Sequence, residues 1–151
     1  MIRGKELAEA VLKHVISHPK SHNQATWVAS VESPSNDNPV LTECGTRACL
    51  AGWAVLLSAE NIHGRSAREV LDEVASRAGV LGSVPGWEET ALALLFPGLR
   101  PTFSDWYEDH LDASHPAVKT QRAFHTVWDD NDAIELFAEA FGIDTEALRE
   151  Q

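Results

Sequence analysis

The segment at residues 48–59 restricts the possible folds of this chain more than any other, because it carries no formal charge. A helix that is apolar on every side must be enclosed by other elements. At ~1.5 Å per residue it would extend about 18 Å, whereas a membrane span needs roughly 30 Å. The sequence therefore predicts a buried central helix and no membrane span. Gly52 weakens helices, so we expect a neighbouring backbone to pack closely against it.

Two cysteines, Cys44 and Cys49, lie at the start of this segment. Thr46 is the expected N-cap, which places Cys49 in the first helical turn. There the helix dipole could lower the pKa of the Cys49 thiol and make it a nucleophile or redox group. The alternative, which we favour, is a small buried apolar residue. Two cysteines without a signal peptide indicate a reduced, cytoplasmic protein, so we expect two free thiols.

The sequence Cys-Gly-Thr-Arg-Ala-Cys-Leu-Ala-Gly-Trp-Ala at residues 44–54 resembles the signature of a family of small proteins from actinobacteria and their phages. In that family a segment similar to residues 14–27 precedes the signature. The resemblance covers roughly the first 60 residues, and the stretch around Leu95 and Phe96 extends it. It implies an accessory role in a phage or mobile element. The family carries no assigned activity, so the resemblance implies no catalytic residue.

Hydrophobic periodicity predicts helices on both sides of the central one. The first begins near Lys5 and ends before Pro19. Ser66 and Glu69 form a capping box that opens a helix ending at Gly79, and another helix covers residues 87–96. We expect one domain at residues 1–151, a mainly α bundle of six or seven helices around the buried central helix.

The C-terminal third is predicted to continue this pattern. One helix starts at Thr102 or Ser104, and the next follows Pro116 and carries an apolar stripe. The residues of that stripe are Val118, Phe124, Val127 and Trp128. Asp132 and Glu135 resemble a second capping box, opening a helix that ends at Gly142. A short β-hairpin pairing residues 26–31 with residues 40–41 is also compatible with the sequence.

The net charge of −11 is concentrated near the C-terminus. Residues 1–101 contain 9 basic and 11 acidic residues, a net charge of −2, whereas residues 102–151 contain 3 basic and 12 acidic residues, a net charge of −9. Such a field disfavours direct binding to nucleic acid and attracts basic partners.

Aromatic residues interspersed with these acids form the candidate partner-binding surface. Aromatic anchors within a charged rim are typical of protein interfaces, although such aromatics also occur in cores. The candidate residues are Asp105, Trp106, Tyr107, Glu108, Asp109, Asp112 and Trp128.

Two alternatives place chemistry at the cysteines. A zinc site could combine the histidines of the first helix and turn with the thiols, although the gap between the cysteines is wider than in most structural zinc sites. Its ligands would be His14, His18, His22, Cys44 and Cys49. A thiol enzyme would instead need a histidine base beside Cys44 or Cys49. The candidate bases are His22, His63, His110 and His125.

The sequence favours a cytoplasmic, non-enzymatic protein without a cofactor that binds a host or self protein through its acidic C-terminal surface. A second hypothesis is a DNA mimic, whose carboxylates would imitate phosphates and occupy a DNA-binding protein. The third is the thiol or metal enzyme at Cys44 and Cys49.

Overall fold

The computed structural model describes residues 2–30, 36, 38–42, 45–80, 86–98 and 111–150. Within them the chain is mainly α-helical, with seven α-helices and one two-stranded antiparallel sheet, as predicted. The elements are α1 (Gly4–Ser17), a 3₁₀ turn (Pro19–Ser21), β1 (Val28–Ser30), β2 (Thr46–Ala48), α2 (Leu50–Ser58), α3 (Ala67–Ala78), α4 (Trp87–Leu95), α5 (Pro116–Phe124), α6 (Asp130–Phe141) and α7 (Thr145–Arg149). The helix predicted from Thr102 or Ser104 falls outside the described residues.

Helix α2 lies at the centre of the core, as predicted. All of its residues except Leu57 are buried, and it packs against α4, α1 and α3. Gly52 is required by a close approach, because a Cβ there would collide with the carbonyl oxygen of Trp27 and lie 2.8 Å from the Cβ of Ala48. This confirms the expected backbone contact at Gly52.

The start of α2 differs from the prediction. Thr46 is not the N-cap, because residues 46–48 pair with β1 and the helix can begin only after that strand. The cap is Cys49, whose sulfur accepts a hydrogen bond from the Gly52 amide at 3.4 Å. The Thr46 hydroxyl instead donates to the carbonyl oxygen of Thr42 at 2.6 Å.

The predicted pairing of the hairpin was also wrong. β1 pairs with β2 in the register Val28 with Ala48 and Ser30 with Thr46, and not with residues 40–41. Val40 forms an isolated bridge with Ser66, next to a bond from the Leu41 amide to the carbonyl of Arg65 at 2.8 Å. Residues 40–41 thus hold the start of α3.

The helix signals in the first hundred residues are confirmed at both ends of α3. The Ser66 hydroxyl caps α3 by accepting from the Glu69 amide at 3.2 Å. Gly79 ends it with a φ of 75°, in the left-handed region that favours glycine. α1 ends at Ser17 and α4 ends at Leu95, each within one residue of the predicted boundary.

The C-terminal boundaries needed two corrections. α5 ends at Phe124, so Val127 and Trp128 do not belong to its buried stripe and are exposed. α6 is capped by Asp129, whose carboxylate accepts from the Asn131 and Asp132 amides, and not by Asp132. α6 ends at Gly142, as predicted, while α7 was not predicted.

Candidate functional site

The loop at residues 125–129, between α5 and α6, carries the most exposed of the large apolar side chains among the described residues. Trp128 is 76% exposed and Val127 is 52% exposed. We name this segment the α5–α6 loop. Large apolar side chains are normally removed from water, and a compact exposed pair in an acidic region is typical of a protein-binding surface.

The first half of the α5–α6 loop is anchored to the core. His125 Nε2 lies 2.9 Å from Glu88 Oε1 on α4. Thr126 is 3% exposed, and its hydroxyl donates to the carbonyl of Arg122 at 2.9 Å. The Val127 amide donates to the carbonyl of His125 at 3.1 Å. The two exposed side chains therefore follow directly after a fixed section of backbone.

Glu88 anchors the loop with a buried carboxylate. Its side chain is 8% exposed, and Oε1 accepts from Gln121 Nε2 at 3.0 Å as well as contacting His125. Burying a carboxylate is unfavourable unless donors replace the lost water. Glu88 also lies in the first turn of α4, where the helix dipole favours negative charge. α4 and α5 are thereby joined beside the exposed loop.

Gln24 joins the end of α5 to the starts of α2 and α6. It is 2% exposed, and Nε2 donates to the carbonyls of Ala123 at 3.2 Å and Phe124 at 2.9 Å. Its Oε1 accepts from the Leu50 amide at 3.1 Å, and its backbone amide donates to Asp130 Oδ1 at 2.9 Å. Gln24 thus ends α5 through its side chain and contacts the first residue of α6 through its backbone amide.

Sequence reasoning missed both Gln24 and Glu88. Gln24 lies in a polar stretch that resembles an ordinary loop, and Glu88 resembles the usual acidic first turn of a helix. Gln24 bonds to Phe124, which lies 100 residues further along the chain. Glu88 bonds to Gln121, which lies 33 residues further along. No local pattern could have identified them.

Acidic side chains surround the exposed pair on its C-terminal side. Asp129, Asp130 and Asp132 are all exposed at the start of α6. Further along, Glu135 and Glu139 are offset by Arg149 at 3.6 Å and Lys119 at 3.4 Å. The first turn of α6 is therefore the acidic part nearest to Trp128 in the sequence.

Of the predicted partner-binding residues, the structure describes two. Trp128 is exposed as stated above, and Asp112 is exposed as well. The Asp112 carboxylate accepts from the Ser114 amide at 2.9 Å and the Ser114 hydroxyl at 3.0 Å, and these bonds lower its pKa. The other five fall outside the described residues: Asp105, Trp106, Tyr107, Glu108 and Asp109.

The structure disfavours Cys49 as a reactive thiol. Cys49 is free and 1% exposed. Its pKa is raised to about 12, mainly by burial and to a smaller extent by the Glu88 charge, against the opposing effect of hydrogen bonds from the backbone. The thiol is thus neutral at physiological pH. This confirms the favoured prediction of a small buried residue at Cys49 and contradicts the alternative of a lowered pKa. Cys44 falls outside the described residues.

The candidate zinc ligands do not form one site in the part of the chain that the structure describes. The rings of His14 and His18 stack with centroids 4.9 Å apart, and His14 also lies 4.0 Å from the Trp53 ring. Burial, followed by the charge of His18, lowers the pKa of His14. His22 bonds to Gln24 instead. Among described residues, no three His, Cys, Asp or Glu side chains are placed to hold a metal ion.

None of the candidate bases that the structure describes is bonded to the Cys49 sulfur, whose partners are the Trp27 carbonyl and the Gly52 amide. His22 contacts Gln24, and His125 contacts Glu88. His63 is exposed, and its backbone amide donates a hydrogen bond to the side-chain oxygen of Asn61. His110 falls outside the described residues.

Comparisons with known proteins do not assign a family. No protein-family model matches the chain, and no curated protein or solved structure is significantly similar to it. In the described part of the chain, no helix is long and apolar enough to cross a membrane.

Proposed function

We propose that this is a non-enzymatic binding protein that engages a basic segment of another protein through the α5–α6 loop and the acidic first turn of α6. The observation that carries the proposal is Trp128, which is 76% exposed on a loop whose flanking residues are buried or hydrogen-bonded. Tryptophan is one of the three residue types enriched in binding hot spots.

The anchored backbone favours binding because it reduces the entropy lost on association. Ordering a flexible loop opposes binding, whereas a loop already held in place avoids much of that loss. His125 and Thr126 hold the N-terminal side of the exposed pair, and Asp129 caps α6 on the other side. Val127 and Trp128 are therefore presented as a preformed apolar anchor.

Charge indicates the chemistry of the partner. The anchor is followed by Asp129, Asp130 and Asp132, and residues 102–151 carry a net charge of −9. Opposite charges steer association and select among partners, so a segment rich in Lys and Arg is favoured over nucleic acid. Asp112 and the candidate residues at 105–109 are further partner-binding residues in our proposal, on the sequence pattern alone.

The biological setting rests on the family resemblance. A small acidic protein with the signature at residues 44–54 fits an accessory protein of an actinobacterial phage or mobile element. Its partner would then be a protein in the host cytoplasm.

The test compares two partly exposed tryptophans. Tagged protein is used to capture partners from an actinobacterial lysate, crosslinking identifies the partner segment in contact, and calorimetry gives Kd for purified variants. We expect Trp128→Ala to weaken binding about 30-fold, as for a hot-spot residue. Trp27→Ala is the matched control, since Trp27 is 40% exposed elsewhere, and should change Kd less than about threefold. Equal Kd values for the two variants, or an acidic contacting segment, would contradict the proposal.

A further inference from the structure

A cavity of about 350 Å³ opens between α1, α6 and α7. Its aliphatic lining comes from Val15, Ile16 and Ile134, and its polar lining includes His22, Asp130 and Arg149. Ligand-binding cavities of roughly this size commonly combine apolar walls with a few polar groups that orient the ligand. Asp130 lines the cavity and also belongs to the acidic first turn of α6, so the cavity and the proposed binding surface have one residue in common.

The bonds of Gln24 determine the protonation pattern of His22. Gln24 Nε2 faces two backbone carbonyls and its Oε1 accepts from the Leu50 amide, so the orientation of the amide is fixed. His22 Nε2, 2.9 Å from that same Oε1, must therefore carry the hydrogen. In the neutral ring, Nδ1 is then an acceptor. No described residue donates a hydrogen bond to Nδ1, so this nitrogen can accept one from a ligand.

The charges around the cavity favour a cation. Asp130 Oδ1 accepts the Gln24 amide at 2.9 Å, and a carboxylate can accept further bonds. The Arg149 guanidinium lies 3.6 Å from the Glu135 carboxylate, which offsets its charge. Glu135 lies outside the lining, but because it offsets Arg149, the carboxylate of Asp130 is the lining charge without an ion-pair partner among the described residues.

An aliphatic wall, a ring-nitrogen acceptor and a carboxylate are together the features that bind an alkylammonium group. The four-carbon stem of a lysine can lie along an apolar wall while its ammonium donates to acceptors at the end. We propose that this cavity receives a lysine side chain from the basic partner segment, with its ammonium at His22 Nδ1 and Asp130. This inference rests on the proposed function and specifies its partner chemistry.

The experiment uses a defined probe and a matched pair of variants. A capped Gly-Lys-Gly tripeptide is titrated into the full protein at pH 7.5 while the methyl NMR signals of Ile16 and Ile134 are followed. Its Nε-acetylated twin keeps the stem but loses the charge. Asp130→Asn keeps an oxygen for the Gln24 amide and removes the charge at the cavity. Asp72→Asn removes the same charge from an exposed side chain on α3, outside both the cavity lining and the acidic first turn of α6.

We expect the lysine tripeptide to shift both methyl signals and the acetylated twin to leave them unchanged. Asp130→Asn should weaken binding about tenfold, the effect of losing one charge-assisted hydrogen bond. Asp72→Asn should change it less than about twofold, as expected for an exposed charge outside the contact. Unshifted methyls, equal shifts from both tripeptides, or equal losses in both variants would overturn the inference.

Failure of the lysine site can be separated from failure of the proposed function. The tripeptide has no apolar anchor and does not need Trp128, so its result does not depend on the Trp128→Ala comparison. Loss of partner binding in Trp128→Ala with unshifted cavity methyls would reject the lysine site alone. Shifted methyls with unchanged partner binding in Trp128→Ala would reject the proposed function of the α5–α6 loop.

Discussion

Helix α2 and the α5–α6 loop use tryptophan in opposite ways. Trp53 on α2 is 3% exposed, and its ring nitrogen donates to the carbonyl of Ser21 at 2.8 Å. Trp128 is 76% exposed, and the backbone beside it is held by polar contacts from His125 and Thr126. Trp53 is thus part of the apolar core, whereas Trp128 follows a stretch of backbone that polar contacts hold at the surface.

The largest predicted effect compares these two tryptophans in stability. Trp53→Ala should lower the free energy of unfolding by about 3–5 kcal/mol, because it leaves a cavity in the core. Trp128→Ala should change it by less than about 0.5 kcal/mol, since the side chain is mostly in water. Urea unfolding followed by circular dichroism measures both. A loss at Trp128 as large as that at Trp53 would mean that Trp128 belongs to the scaffold.

The second prediction concerns the polar contacts that hold the loop. Gln24→Glu replaces a donor by an acceptor opposite the carbonyls of Ala123 and Phe124, and should destabilise the fold by about 2–3 kcal/mol. Amide hydrogen exchange at residues 125–128 should become faster. Asn23→Asp is the control, because it adds the same charge but keeps the oxygen that accepts the Ala25 amide at 3.0 Å. Unchanged exchange in Gln24→Glu would show that Gln24 does not hold the loop.

The sequence predicted the features that depend on local contacts and missed those that depend on contacts between distant segments. Ser66 and Gly79 mark α3 through contacts within a few residues, so both ends of that helix were predictable. Val127 and Trp128 match a helical stripe with Phe124 in spacing, but α5 stops earlier because Gln24 binds its last carbonyls. Similarly, Thr46 resembles a helix cap in the sequence, but it pairs with Ser30 in the sheet and so lies in a strand. Contacts between distant segments decided these cases, and one sequence does not display them.

The smallest predicted effect on the free energy of unfolding at neutral pH concerns Cys49, at the start of α2. In a Cys44→Ser background, Cys49 should react with a disulfide reagent at pH 8 only after unfolding, because burial raises its pKa from 9.0 to about 12. The folded state then keeps a proton that the unfolded state loses. Titration of Cys49 therefore leaves the free energy of unfolding unchanged below pH 9 and lowers it as the pH rises from 9 toward 12. Urea midpoints across this range, with Cys49→Ala as control, measure it. Rapid labelling of folded protein would contradict the buried assignment.

The most direct test of the central claim is ¹⁹F NMR of protein labelled with 5-fluorotryptophan, recorded with and without the captured partner. The account predicts that the Trp128 resonance shifts on binding while the Trp53 resonance stays in place. A bound complex in which the Trp128 resonance does not move would contradict it.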